Sequence, residues 1–104
     1  MIEWTTPTIP IRIRGAAVMA PNVKVLLTFA QGGYKLTVEP RNLQATDDGV
    51  TGEVDFTQLE SGGFHAGYAK VQANVVDSNN LRAASKFATV CIGSNLLPEV
   101  VDYE

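Results

Sequence analysis

Asn22-Val23-Lys24-Val25-Leu26-Leu27-Thr28-Phe29-Ala30-Gln31-Gly32-Gly33-Tyr34-Lys35-Leu36-Thr37-Val38-Glu39 reads as one hairpin, and it decides the fold class. Val23, Val25, Leu27 and Phe29 alternate with Lys24, Leu26, Thr28 and Ala30, the period of a strand with one face buried. Gly32-Gly33 provides a two-residue turn, after which Tyr34, Leu36 and Val38 alternate with Lys35, Thr37 and Glu39.

The same period extends in both directions. Upstream, Ile9, Ile11 and Ile13 alternate with Pro10, Arg12 and Arg14, and the proline assigns this strand to a sheet edge because it cannot donate to a ladder. Downstream, Leu43 to Thr46 is a short strand. Asp47-Asp48-Gly49 turns into a strand carrying Val50, Val54 and Phe56, in which Gly52 on the inward phase marks a bulge. Thr57-Gln58-Leu59-Glu60 has the spacing of a capping box opening a single helical turn. Gly67 to Val76 is a core strand with Ala69, Val71, Ala73 and Val75 on one face, and Asp77-Ser78-Asn79-Asn80 is a hairpin turn. In the last strand, Leu81 to Ile92, Phe87 reads inward while Val90 and Ile92 need the opposite parity, so a bulge is expected near Ala88-Thr89.

The expected fold is therefore all-β: an antiparallel β-sandwich resembling the immunoglobulin fold, about six or seven strands, with a small barrel as the alternative. Its expected core includes Ile11, Val25, Leu27, Leu36, Val54, Phe56, Val71, Val75 and Phe87. A chain of 104 residues with 45% hydrophobic content fits one domain, residues 1–104, with residues 94–104 as a C-terminal arm.

Composition argues against several functions. The net charge is −3 and the basic residues are scattered, which disfavours a nucleic-acid partner. No segment approaches the roughly 20 apolar residues of a membrane span, so no membrane partner is expected. The start, Met1-Ile2-Glu3-Trp4-Thr5-Thr6-Pro7, is not a signal peptide, and the expected site of synthesis is the bacterial cytoplasm. Cys91 is the only cysteine and reads as an inert residue in mid-strand; it offers neither a disulfide nor a metal cage. His65, the only histidine, lies in a glycine-rich loop without an evident catalytic partner. Asp47, Asp48, Glu53 and Asp55 could be weighed as calcium ligands, but a turn and an outward strand face account for them. No catalytic residue, metal ligand or cofactor is expected.

Of the aromatic residues, Trp4, Tyr34, Phe64, Tyr68 and Tyr103 are the candidates for a sugar platform, which would make the chain a carbohydrate-binding or adhesion module. Apolar residues also collect at the two ends, outside the sandwich: Ile2, Trp4, Leu96, Leu97, Val100, Val101 and Tyr103. They are the expected interface, since exposed together they exceed what a soluble monomer normally shows. Pro98 favours an arm leaving the sheet, either docking on its own domain or reaching the edge of a neighbouring copy.

Several segments resemble small proteins encoded among the tail and baseplate genes of phages and prophages of Gram-positive bacteria. The resemblance rests on Thr5-Thr6-Pro7-Thr8, Leu27-Thr28-Phe29-Ala30-Gln31-Gly32, Val54-Asp55-Phe56-Thr57-Gln58-Leu59-Glu60, Val71-Gln72-Ala73-Asn74-Val75 and Ile92-Gly93-Ser94-Asn95-Leu96-Leu97-Pro98-Glu99-Val100. The Gly62-Gly63-Phe64-His65 loop departs from that pattern. The resemblance implies a non-catalytic structural part of a virion or of its assembly machinery. Its expected partners are other tail proteins or copies of itself in a homo-oligomer.

Overall fold

The computed structural model describes residues 1–15, 18 and 22–103. Among these residues it is an all-β structure of eight strands: β1 (Thr8–Arg14), β2 (Lys24–Gln31), β3 (Tyr34–Val38), β4 (Arg41–Ala45), β5 (Gly49–Asp55), β6 (Gly67–Val76), β7 (Arg82–Ala84) and β8 (Ala88–Ile92). One short helix, α1 (Gln58–Gly62), follows β5. The strands form two antiparallel sheets. One has the order β1-β5-β4; the other has the order β3-β2-β6, with β7 and β8 sharing the far side of β6.

The quoted hairpin sets the second sheet. Gln31 pairs with Tyr34 across the two-glycine turn, where Gly32 takes a positive φ of 57°. Val25, Leu27 and Phe29 are buried, as their parity requires. The other face of β2 is only half-buried, and Thr28 and Thr37 share a hydrogen bond across the hairpin at 2.9 Å. In the first sheet, β1 pairs with β5 over its whole length, and Pro10 stands on the sheet's outer strand.

Gly52 does mark a bulge, but the extra residue lies on the partner strand. The β4–β5 register shifts between Arg41 and Gln44, and Asn42 there adopts φ 55°. A Cβ at position 52 would come within 2.8 Å of Leu43 Cδ2 and 3.1 Å of the Arg41 carbonyl oxygen, so glycine lets the bulged strand lie this close without displacing the leucine.

The last strand departs from its expected pattern. The segment 81–92 is divided into β7 and β8, which raises the strand number from the expected six or seven to eight. Asn74 faces Ala84 whereas Val71 faces Ala88, so three residues, Ser85, Lys86 and Phe87, stand opposite Gln72 and Ala73. The bulge is thus real, but it precedes Ala88. Ser85 fixes it: its amide donates to the Ala73 carbonyl and its Oγ accepts from the Ala73 amide, both at 2.9 Å. Because the phase changes before Phe87, that ring faces outward at 65% exposure and is not a core residue. Its face is covered in part by the Lys70 ammonium, 5.4 Å from the ring centroid.

The core lies between the sheets. Ile13, Val50, Val54 and Phe56 come from one side and Val25, Leu27, Phe29, Ala69, Ala73, Val75 and Ile92 from the other; Ile11, Leu36 and Val71 pack against its margin. Phe29 stands edge-on to Phe56, with ring centroids 5.1 Å apart, and to Phe64 at 6.5 Å; Tyr34 stands edge-on to Phe64 at 4.9 Å. Phe64 is therefore core, fully buried, and not a surface platform.

Leu27→Ala is expected to lower stability by about 2–5 kcal/mol through lost transfer energy and the cavity left behind. Phe87→Ala should cost less than about 1 kcal/mol, since it removes a partly exposed cation–π contact and no core packing. Denaturant unfolding of both variants checks the pair; comparable losses would contradict the bulge position.

Candidate interaction surface

The terminal segments meet at one end of the sheets. The Met1 ammonium donates to the Cys91 carbonyl at 2.9 Å, Gly93 N–H to Met1 at 2.7 Å and Glu3 N–H to Gly93 at 3.0 Å, so Ile2 forms a parallel bridge beside the end of β8. Trp4, held at a positive φ of 63°, lays its half-buried ring over Gly62; a Cβ at Gly62 would collide with that ring, and one at Gly63 would collide with Tyr34. The sequence placed this glycine pair in a loop, but its second role is to let two aromatic rings lie directly on the backbone. Tyr34 Oη donates to the Glu60 carbonyl at 3.0 Å, and burial, followed by the nearby Glu60 charge, raises the phenol's pKa.

The helix beneath forms as its spacing predicts. Thr57 Oγ1 accepts from Glu60 N–H at 3.1 Å, and Glu60 Oε1 accepts from Thr57 N–H at 2.8 Å. Ser61, fully buried, donates from Oγ to the Thr5 carbonyl at 2.6 Å and ties the N-terminal segment to the helix.

The C-terminal arm docks on this platform through polar groups. Asn95 is held by Glu3, its N–H on Oε1 at 3.1 Å and its Nδ2 on the carbonyl at 3.0 Å. Further along, the Gln58 amide clamps Val101: Nε2 donates to the Val101 carbonyl at 2.8 Å and Oε1 accepts the Val101 N–H at 2.7 Å. The apolar side chains stay outside. Leu96 and Tyr103 are fully exposed, and Ile2, Leu97, Val100 and Val101 are about half exposed, joined by Leu59 on the outer side of α1. Of the seven apolar residues expected at the interface, only Trp4 is substantially covered.

The candidate chemical groups are dispersed. His65 is exposed, and its main chain is held by Gln31, which accepts from the His65 N–H at 2.6 Å and donates to its carbonyl at 2.8 Å. Cys91 is exposed between inward Val90 and Ile92. Three of the four carboxylates weighed for calcium, Asp48, Glu53 and Asp55, meet arginines instead. Asp48 pairs with Arg12 at 3.1 Å and Arg14 at 3.4 Å, Glu53 with Arg41 at 2.9 Å, and Asp55 with Arg41 and with Thr8 Oγ1. Among the described residues no group of three or more His, Cys, Asp or Glu side chains could hold a metal ion, and no helix is long and apolar enough to cross a membrane.

A groove of about 570 Å³ opens on the side where β1 and β8 face each other. Ile9, Ile11, Leu27, Phe29, Val71 and Val90 line it, and Arg12, Arg14 and Lys86 stand at its rim. No local pattern announces it, because its walls are brought together from strands distant in the chain.

Hydrogen bonds from Arg41 and Thr8 lower the pKa of Asp55, and one from Arg12 lowers that of Asp48. A carboxyl whose pKa is depressed by folding stabilises the fold above its unfolded value and loses that contribution as pH falls through the folded value. The thermal midpoint should therefore fall on acidification below about pH 4, and Arg41→Met should flatten that fall; an identical pH profile in the variant would contradict the pairing. Cys91 should react with a thiol reagent in the native protein as readily as in the unfolded chain, whereas labelling only after denaturation would show that its face is covered.

Compared with known proteins, the chain matches no family model, no curated protein and no solved structure.

Proposed function

We propose that this chain is a non-catalytic structural module that works by packing against other proteins, of the kind that builds bacteriophage tails and baseplates. The observation that carries the reading is the arm after Ser94. Its backbone is tied down at Asn95 and Val101, while Leu96, Leu97, Val100, Val101 and Tyr103 face solvent. An unstructured tail would have no such clamps, and a sheet strand would bury alternate side chains. Apolar groups held in an ordered, exposed row suit a surface waiting for a partner. The segments that resemble small phage tail and baseplate proteins suit the same class of role.

The strand order supports an immunoglobulin-like reading of the fold. In immunoglobulin domains strands B, E and D lie in one sheet and C, F and G in the other, with C′ beside C in the variable type. Here β1, β5 and β4 take the places of B, E and D; β2, β6 and β8 take those of C, F and G; and β3 stands as C′. Such sandwiches serve as interaction modules in many settings, and the site, not the fold, carries the function. A carbohydrate-binding role finds less support, since Phe64 is buried and Tyr34 and Trp4 are spent on the glycine pair.

The test is the genomic neighbourhood of the coding sequence together with mass spectrometry of purified particles. The expected result is a position among tape-measure, baseplate or lysis genes and recovery of the chain with tail proteins. Metabolic or cell-wall neighbours, or turnover of a substrate that disappears in His65→Ala with the fold intact, would overturn the reading.

A further inference from the structure

Among the described residues, the groove between β1 and β8 is bounded by two strand edges with little or no cover. Gly15 N–H donates to the Asp48 carbonyl and Pro7 accepts from Phe56 N–H, so the odd residues between them turn their main-chain groups to β5. By alternation Thr8, Pro10, Arg12 and Arg14 turn theirs to the open side, where Pro10 has no N–H to leave unpaired. Across the gap, Met1 to Glu3 covers the edge of β8 only from Cys91 to Gly93. Among the described residues, the sheet order β1-β5-β4 has no strand beyond β1, where an immunoglobulin sheet of order A-B-E-D carries its first strand.

We infer that this place is taken by residues 96–103 of a second copy, laid as a strand along the free edge of β1 with alternate apolar side chains in the groove. The inference rests on the reading of the chain as an interaction module and names its partner and surface. Strand addition of this kind joins main-chain hydrogen bonding at an edge to pockets for alternate side chains.

Three observations favour this occupant. The lengths agree: eight extended residues span about 26 Å and the seven of β1 about 23 Å. The charges are complementary. The rim carries Arg12, Arg14 and Lys86 against the single Asp48 that the two arginines share, while the arm carries Glu99 and Asp102. The arm is also cheap to release, since beyond Leu97 its tie to the rest of its own chain, among the described residues, is the Gln58 clamp, a pair of exposed hydrogen bonds.

The experiment is sedimentation equilibrium of the full chain over a wide concentration range at low and high salt, with thermal melts confirming that each variant is folded. Lys86→Glu and Glu99→Lys should each weaken self-association severalfold, the double variant should recover much of the loss, and added salt should act like the single variants. Gln58→Ala should strengthen association by freeing the arm. A protein that stays monomeric at every concentration overturns the inference. So does association that ignores Lys86→Glu, or that is lost in Lys86→Glu and not recovered by Glu99→Lys, the last outcome assigning the groove to another occupant. A monomer that is nonetheless recovered from virions with tail proteins would refute the pairing of copies while leaving the role as a structural module intact.

Discussion

The edge-to-face contacts around Phe29 hold the rest of the structure in place. Phe29 lies on the central pair of the larger sheet; Phe56 follows the last residue of β5 in the smaller one; Phe64 closes the loop after α1. The three rings therefore join both sheets and the connection between them in one buried cluster, where aromatic pairs add to the area they remove from water. Because Phe56 and Phe64 are fixed, α1 between them has one position, and its Gly62-Gly63 end is pressed against Trp4 and Tyr34. Both chain termini then have a platform to lie on.

That platform explains why the ends are ordered yet exposed. Ser61, Glu3, Gln58 and Asn95 satisfy backbone groups of the terminal segments and fix their course, but none of these contacts removes apolar surface from water. Hydrogen bonds to exposed groups contribute modestly, so the arm is directed without being committed to its own chain. On the opposite balance, the β1 side of the smaller sheet carries apolar groove-lining side chains and main-chain groups that have no neighbouring strand among the described residues. An unsatisfied edge and an unsatisfied apolar segment in one molecule have the same physical remedy.

The charged groups serve the sheets and not chemistry. Arg41 spans Glu53 and Asp55, and Asp48, in the turn between β4 and β5, gathers Arg12 and Arg14 of β1. All of these pairs are solvent-exposed, so each is weak singly, and together they hold the register of a three-stranded sheet whose β4 strand is interrupted by a bulge.

Sequence alone determined the all-β class, the β2–β3 hairpin, the edge position of Pro10, the capping box at Thr57 and the apolar character of the termini. Each of these is local: alternation is set by the two-residue period of a strand, and capping by a side chain reaching three residues along. It also carried the signal of a bulge in the last strand, because Phe87 and Val90 cannot share a face of one regular strand. Where the bulge falls was decided by tertiary structure, since Ser85 can bond to Ala73 only once β6 is beside it. Phe64 looked like a loop aromatic because a glycine pair precedes it; it is core because Phe29 and Tyr34, about thirty residues away in sequence, form the pocket it enters. The groove between β1 and β8 had no sequence signature at all. Its walls come from four separate strands and the bulge between β7 and β8, and its width depends on the angle between two sheets, a quantity that no stretch of neighbouring residues encodes.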